Sequence, residues 1–165
     1  MSLGARRNRV LVAAASAAML AAFALLSPDD EVDVDSPSPT GKAAQSCREL
    51  NERLPEQLLS QHRVPVRNPS RFTAAWGDPA IVLRCGAPRP DRLSPDSADY
   101  DPLSDAVEVN SVTWLFEEHE GGYRFTTTDR ATYVEVTVPS AHAPETGALP
   151  ELAKPIRSAT ARKPL

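Results

Sequence analysis

The sequence predicts an α+β domain in which one N-terminal helix packs on a small antiparallel meander sheet, with one disulfide and long irregular loops. Three observations predict it. Leu50, Leu54 and Leu58 recur every fourth residue and mark one apolar face of a helix. From Val107 to Val138 apolar and polar residues alternate, which is the period of half-buried strands. Cys47 and Cys85 are the only cysteines, and they read as one bridge tying the helix to the sheet.

Ahead of the domain, Arg6, Arg7 and Arg9 form a basic tail over residues 1–9, followed by the apolar run VLVAAASAAMLAAFALL at 10–26. As a helix that run rises about 25 Å, slightly less than the ~30 Å hydrocarbon core, so it reads as a transmembrane anchor or as a signal peptide cleaved near Ala24. Ala22 and Ala24 supply the small residues a signal peptidase needs. Asp29, Asp30, Glu31, Asp33 and Asp35 follow the run, so the positive-inside bias places the N-terminus in the cytoplasm and the remainder outside. The run has no polar face, which argues against a buried helix of a cytosolic protein. No cysteine lies near residue 27, so a lipid-anchored form is not expected.

Residues 27–45 are acidic, proline-bearing and poor in large apolar groups, so they read as a disordered spacer. The extracytoplasmic domain is expected over 46–157, with a flexible tail at 158–165 and loose docking, or none, from Ser140 onward. Ser46 and Glu49 match a capping box, which starts the helix at Cys47. Pro55 bends or restarts it. Arg63 to Thr73 reads as an extended basic loop, and Trp76-Gly77-Asp78-Pro79 as a turn into a strand over Ala80 to Arg84. The segment from Ala87 to Ala106 carries four prolines and many Ser and Asp, and so reads as a long exposed loop.

Val107 and Val109 share one parity and Val112, Trp114 and Phe116 the other, which implies a bulge or register change near Asn110-Ser111. Glu117 to Gly122 reads as a hairpin loop, Tyr123 to Thr127 as the return strand, and Thr132 to Val138 as the last strand, stopped by Pro139.

Composition restricts function more than it assigns it. Three of the 18 basic residues precede the apolar run and none of the 22 acids does, so the chain beyond it carries a net charge of −7. That excludes a general nucleic-acid binder, which needs clustered positive charge. His62, His119 and His142 lack metal-site spacing. Glu117 to Glu120 is more simply a solvated hairpin tip than a cation site. No context activates a serine nucleophile, so no catalytic residue, metal or cofactor is assigned. Trp76, Arg84 and Arg130 form the candidate ligand surface, because an aromatic ring and fixed guanidiniums suit a carboxylate or phosphate. The alternative places Trp76 in the core and pairs the arginines with Asp78, Asp129 or Glu135.

The Trp76-Gly77-Asp78-Pro79 turn, the IVLRCG run at 81–86, the SVTWLF strand at 111–116 and the TTDRATYVEVTVP segment at 127–139 together resemble an actinobacterial family catalogued as domain of unknown function 3515. The resemblance covers roughly residues 46 to 156 and implies a membrane-anchored or secreted domain with no assigned reaction. The expected function is a membrane-tethered extracytoplasmic binding domain of the cell envelope. It would meet the membrane through residues 10–26 and take an envelope protein or cell-wall partner. A wall hydrolase whose catalytic acids converge from distant loops is the alternative. The sequence specifies no oligomeric state.

Overall fold

The computed structural model describes residues 31–164, so the apolar run at 10–26 and the basic tail before it lie outside the described residues. The fold is mostly β. Six strands form one antiparallel sheet: β5 (Thr73–Trp76), β6 (Ile81–Cys85), β7 (Ala106–Val109), β8 (Val112–His119), β9 (Gly122–Thr127) and β10 (Val134–Pro139). Two minor pairs flank it, β1 (Val32–Asp33) with β4 (Val66–Arg67) in parallel and β2 (Gln57–Leu58) with β3 (Gln61–His62) antiparallel. The two helices are short, α1 (Gly41–Arg53) and α2 (Ala148–Ala159). This overturns the α+β expectation. Residues 57–76, which lack a long alternating run, supply four strands, and the sheet is wider than a small meander.

The sheet order is β5-β6-β10-β9-β8-β7. Two-residue turns join β7 to β8 and β8 to β9, and residues 128–133 join β9 to β10, but β10 returns to pair with β6 rather than closing an edge. The connection from β6 to β7 must therefore cross β10, β9 and β8. At about 4.8 Å per strand that is roughly 19 Å, a span that about six extended residues would cover, so the segment at 87–105 has slack to fold on itself.

The parity change at Asn110-Ser111 is a two-residue turn, not a bulge. Asn110 and Ser111 take φ of 48° and 63°, and Val109 pairs with Val112. Because Val107 and Trp114 also pair, both parity classes end on the same sheet face. Positive φ at both positions favours glycine at the second, so Ser111→Gly is expected to raise stability by about 0.5–1 kcal/mol in a urea titration. The β8–β9 strands run to His119 and Gly122, so Glu117 and Glu118 are strand residues and the turn is Glu120-Gly121.

Register assigns the two faces. Leu83, Val136 and Phe125 pair in one row, and Cys85 and Val134 begin the next; both rows belong to the buried core. The helices cover this face. Cys47 and Leu50 of α1 and Leu149, Leu152 and Ile156 of α2 join the same core cluster. The chain from Ser140 onward thus docks firmly, contrary to its Ala- and Pro-rich appearance. Beyond α2, the Ala131 and Lys163 amides donate to the carbonyls of Ala161 and Asp129, so the expected flexible tail is hydrogen-bonded to the β9–β10 turn.

Helix α1 starts six residues before Cys47, because Lys42, Ala43, Ala44 and Gln45 are good helix formers, and Ser46 sits inside it rather than at its cap. It stops at Arg53, since Leu54 precedes Pro55 and takes an extended conformation. Leu58 lies on β2, fully buried, so the four-residue leucine spacing spans a helix and a strand. The supposed spacer is structured from residue 31 onward. Val32 pairs with Val66, and Pro39 packs so close to Gly86 (φ +85°) that a Cβ there would fall 2.7 Å from its ring. Only glycine suits that position.

Candidate functional site

The face of the sheet opposite the helices carries the polar half of the alternation. On it Arg84, Glu135 and Thr126 occupy neighbouring positions across β6, β10 and β9, and Arg124 lies between Thr137 and Glu117 one row away. Over these strands runs the 87–105 segment. It folds on itself through hydrogen bonds such as Ser94 N to the Asp91 carbonyl and Asp101 N to the Arg92 carbonyl, and Arg89 donates from Nε and Nη2 to the Leu93 carbonyl. It is therefore a strap tied by its own hydrogen bonds, and it is largely exposed as expected.

Between strap and sheet lies a cleft of about 500 Å³. Its floor is Glu117, Arg124, Thr126 and Glu135, and the strap lines it with Arg89, Asp91, Arg92 and Asp99. A volume of this size falls in the usual range for small-molecule sites. Glu135 is held by Arg84 Nη1 at 3.0 Å and lies 3.9 Å from Arg124 Nε, while Glu117 meets Arg92 Nε at 3.5 Å. Arg124 Nη2 donates to His119 Nδ1 at 2.8 Å, with the ring nitrogen as acceptor.

Two floor groups are unanswered. Thr126 is 1% exposed, and its Oγ1 has no hydrogen-bond partner among the described residues. Arg124 Nε is also buried without one, since 3.9 Å is an ion-pair distance and not a hydrogen bond. Buried polar groups are normally satisfied, so two orphans on one face of β9 mark this floor, as Asp129 Oδ2 and Arg130 Nε mark the β9–β10 turn.

The residues singled out from sequence are not brought together. Trp76 is fully buried on the core face, its Nε1 donating to the Pro55 carbonyl at 2.9 Å and its ring 5.5 Å from the Arg63 guanidinium carbon. Arg84 is on the opposite face, held by Glu135 and by Asp35 Oδ2 at 3.1 Å. It borders the cleft through Glu135. Arg130 is buried in the turn between β9 and β10, where it pairs with Asp129 and donates to the Ser111 carbonyl. Its Nε is 3.3 Å from Asp129 Oδ1 but is not aimed at it. It braces the β7–β8 turn. Cys47 and Cys85 form the disulfide, with Cα atoms 5.4 Å apart.

Arg124 and Thr126 look like the solvent half of an ordinary alternation, and Glu117 looks like part of a solvated hairpin tip. The available signal was that each takes a polar position in its own strand's alternation, and these positions become a cluster with Glu135 only when strand order and register are known. Two of the grouped hairpin acids also separate, since Glu117 pairs with Arg124 and Glu118 with Tyr123, on alternate faces of β8.

No curated protein and no solved structure matches the chain. A family match extends well past the segments that carry the resemblance, over residues 9–165, and so the chain belongs to the family described as Protein of unknown function (DUF3515).

Proposed function

We propose that this protein is a membrane-tethered extracytoplasmic binding module of the cell envelope, and that the strap-covered cleft is its binding site. The observation that carries the reading is the cleft floor, where the buried Thr126 hydroxyl and Arg124 Nε lack partners. Compartment rests on sequence and chemistry. The arginine-flanked apolar run at 10–26 suits an anchor or export signal, and a structural disulfide suits an oxidising compartment. Among the described residues no helix is long and apolar enough to cross a membrane.

Glu117 and Glu135 on one cleft floor keep a wall hydrolase as the second reading. Both carboxylates are held by guanidiniums, which favours binding over catalysis. Protease added to intact spheroplasts should remove the domain, leaving a short membrane-bound N-terminal fragment. A domain that stays protected until lysis refutes the topology. A mature N-terminus near Leu25 in the soluble fraction replaces the tether with secretion. Release of reducing ends from purified wall material, abolished by Glu117→Gln, would establish the hydrolase instead.

A further inference from the structure

The charges around the cleft differ in how they are satisfied. Glu135 is shared by Arg84 and Arg124, and Glu117 is answered by Arg92, so the floor acids are neutralised by the protein itself. Asp91 and Asp99 on the strap form no ion pair among the described residues, and Arg89 has no carboxylate partner there. The floor therefore holds two buried donors without partners, Thr126 Oγ1 and Arg124 Nε, beneath a strap whose Asp91 and Asp99 carboxylates are spare. A purely anionic ligand would satisfy the floor but face Asp91 and Asp99. A purely cationic one would leave the floor donors orphaned. No aromatic side chain lines the cleft, so it lacks a stacking surface for sugar rings.

We infer that the cleft binds a small zwitterion, an amino acid or short peptide, whose carboxylate takes Arg124 and Thr126 on the floor and whose ammonium faces Asp91 and Asp99 on the strap. This rests on the cleft being the binding site. A carboxylate supplies acceptors for both orphan donors at once, and Arg124 gains a charge-assisted bond that Glu135 at 3.9 Å does not make. The ammonium then offsets the strap acids. Both ends are needed, so blocking either should weaken binding.

The test is calorimetric titration of the full-length chain in detergent with four probes: alanine, alanyl-alanine, its N-acetyl form and its C-terminal amide. A chitin oligomer serves as the sugar control. The dipeptide should bind saturably, with the amide and the N-acetyl form each weaker by about tenfold or more, the scale of one lost charged hydrogen bond. Alanine binding as tightly as the dipeptide would assign a free amino acid, and tighter dipeptide binding a peptide. Thr126→Val removes an unpartnered buried hydroxyl, so it should keep or raise the melting temperature while weakening dipeptide binding. A purely structural threonine would not separate those two readouts. Equal affinity for the dipeptide and its blocked forms, or no binding of alanine or dipeptide at millimolar concentration, overturns the zwitterion. Chitin-oligomer binding that is weakened by Thr126→Val, without dipeptide binding, rejects the ligand class and leaves the cleft as the site. Binding of every probe unchanged by Thr126→Val removes both.

Discussion

A chain truncated after Gly147 is expected to lose cooperative folding altogether. Helix α2 contributes Ala148, Leu149, Leu152, Ala153 and Ile156 to the core, all at 0% exposure. Burying a Leu or Ile stabilises by about 1.5–3 kcal/mol, so the three large side chains alone are comparable with the 5–15 kcal/mol stability of a whole domain. Their loss also bares part of the core face of the sheet and the side of α1 that packs on α2. Circular dichroism of the truncated chain should show no cooperative melt. A graded version is Ile156→Ala, which should fold at low temperature and cost about 2–5 kcal/mol in a denaturant titration. Truncation after Thr160, which keeps α2 and removes the Ala161, Arg162 and Lys163 contacts with the β9–β10 turn, should remain folded. A sharp native melt from the Gly147 truncation would show that the sheet is stable without its helical cover.

Removing the disulfide is the second large effect. Cys47 and Cys85 are each 1% exposed and close a loop across a sequence separation of 38. On the chain-entropy account that loop contributes about 4 kcal/mol, which for a domain of this size corresponds to a fall in melting temperature of roughly 14 °C. The bridge joins α1 to β6, so its loss frees the segment at 48–84, including β2 to β5, in the unfolded ensemble. The double variant Cys47→Ser and Cys85→Ser should show this fall, with most of the loss present in water and not only in denaturant. A double variant that melts within a few degrees of the parent would mean that α1 is held by packing alone.

Local features were legible in the residues. The bridge followed from a chain with only two cysteines, and β8, β9 and β10 followed from alternation, because the side-chain period of a strand is local. Helix α1 was recognised but displaced, since Ser46 and Glu49 mimic a cap inside a run of good helix formers. Helix α2 was missed because Pro150 and Pro155 obscure Leu149, Leu152, Ala153 and Ile156 at helical spacing. A proline near the start of a helix is well tolerated. Strands β2 to β5 were missed because they are two to four residues long, too short to display a period.

The sequence by itself determined which cysteines pair, where the apolar run and the acidic stretch after it lie, and which side chains share a face within each of the later strands. Only the tertiary structure decided that β10 inserts between β6 and β9, because strand pairing is a long-range choice that no local period encodes. That one decision sends the 87–105 strap across the polar face of the sheet. It also aligns Glu135 of β10 with Thr126 of β9 on one cleft floor, and with Arg84 of β6, which holds Glu135 from the cleft's border.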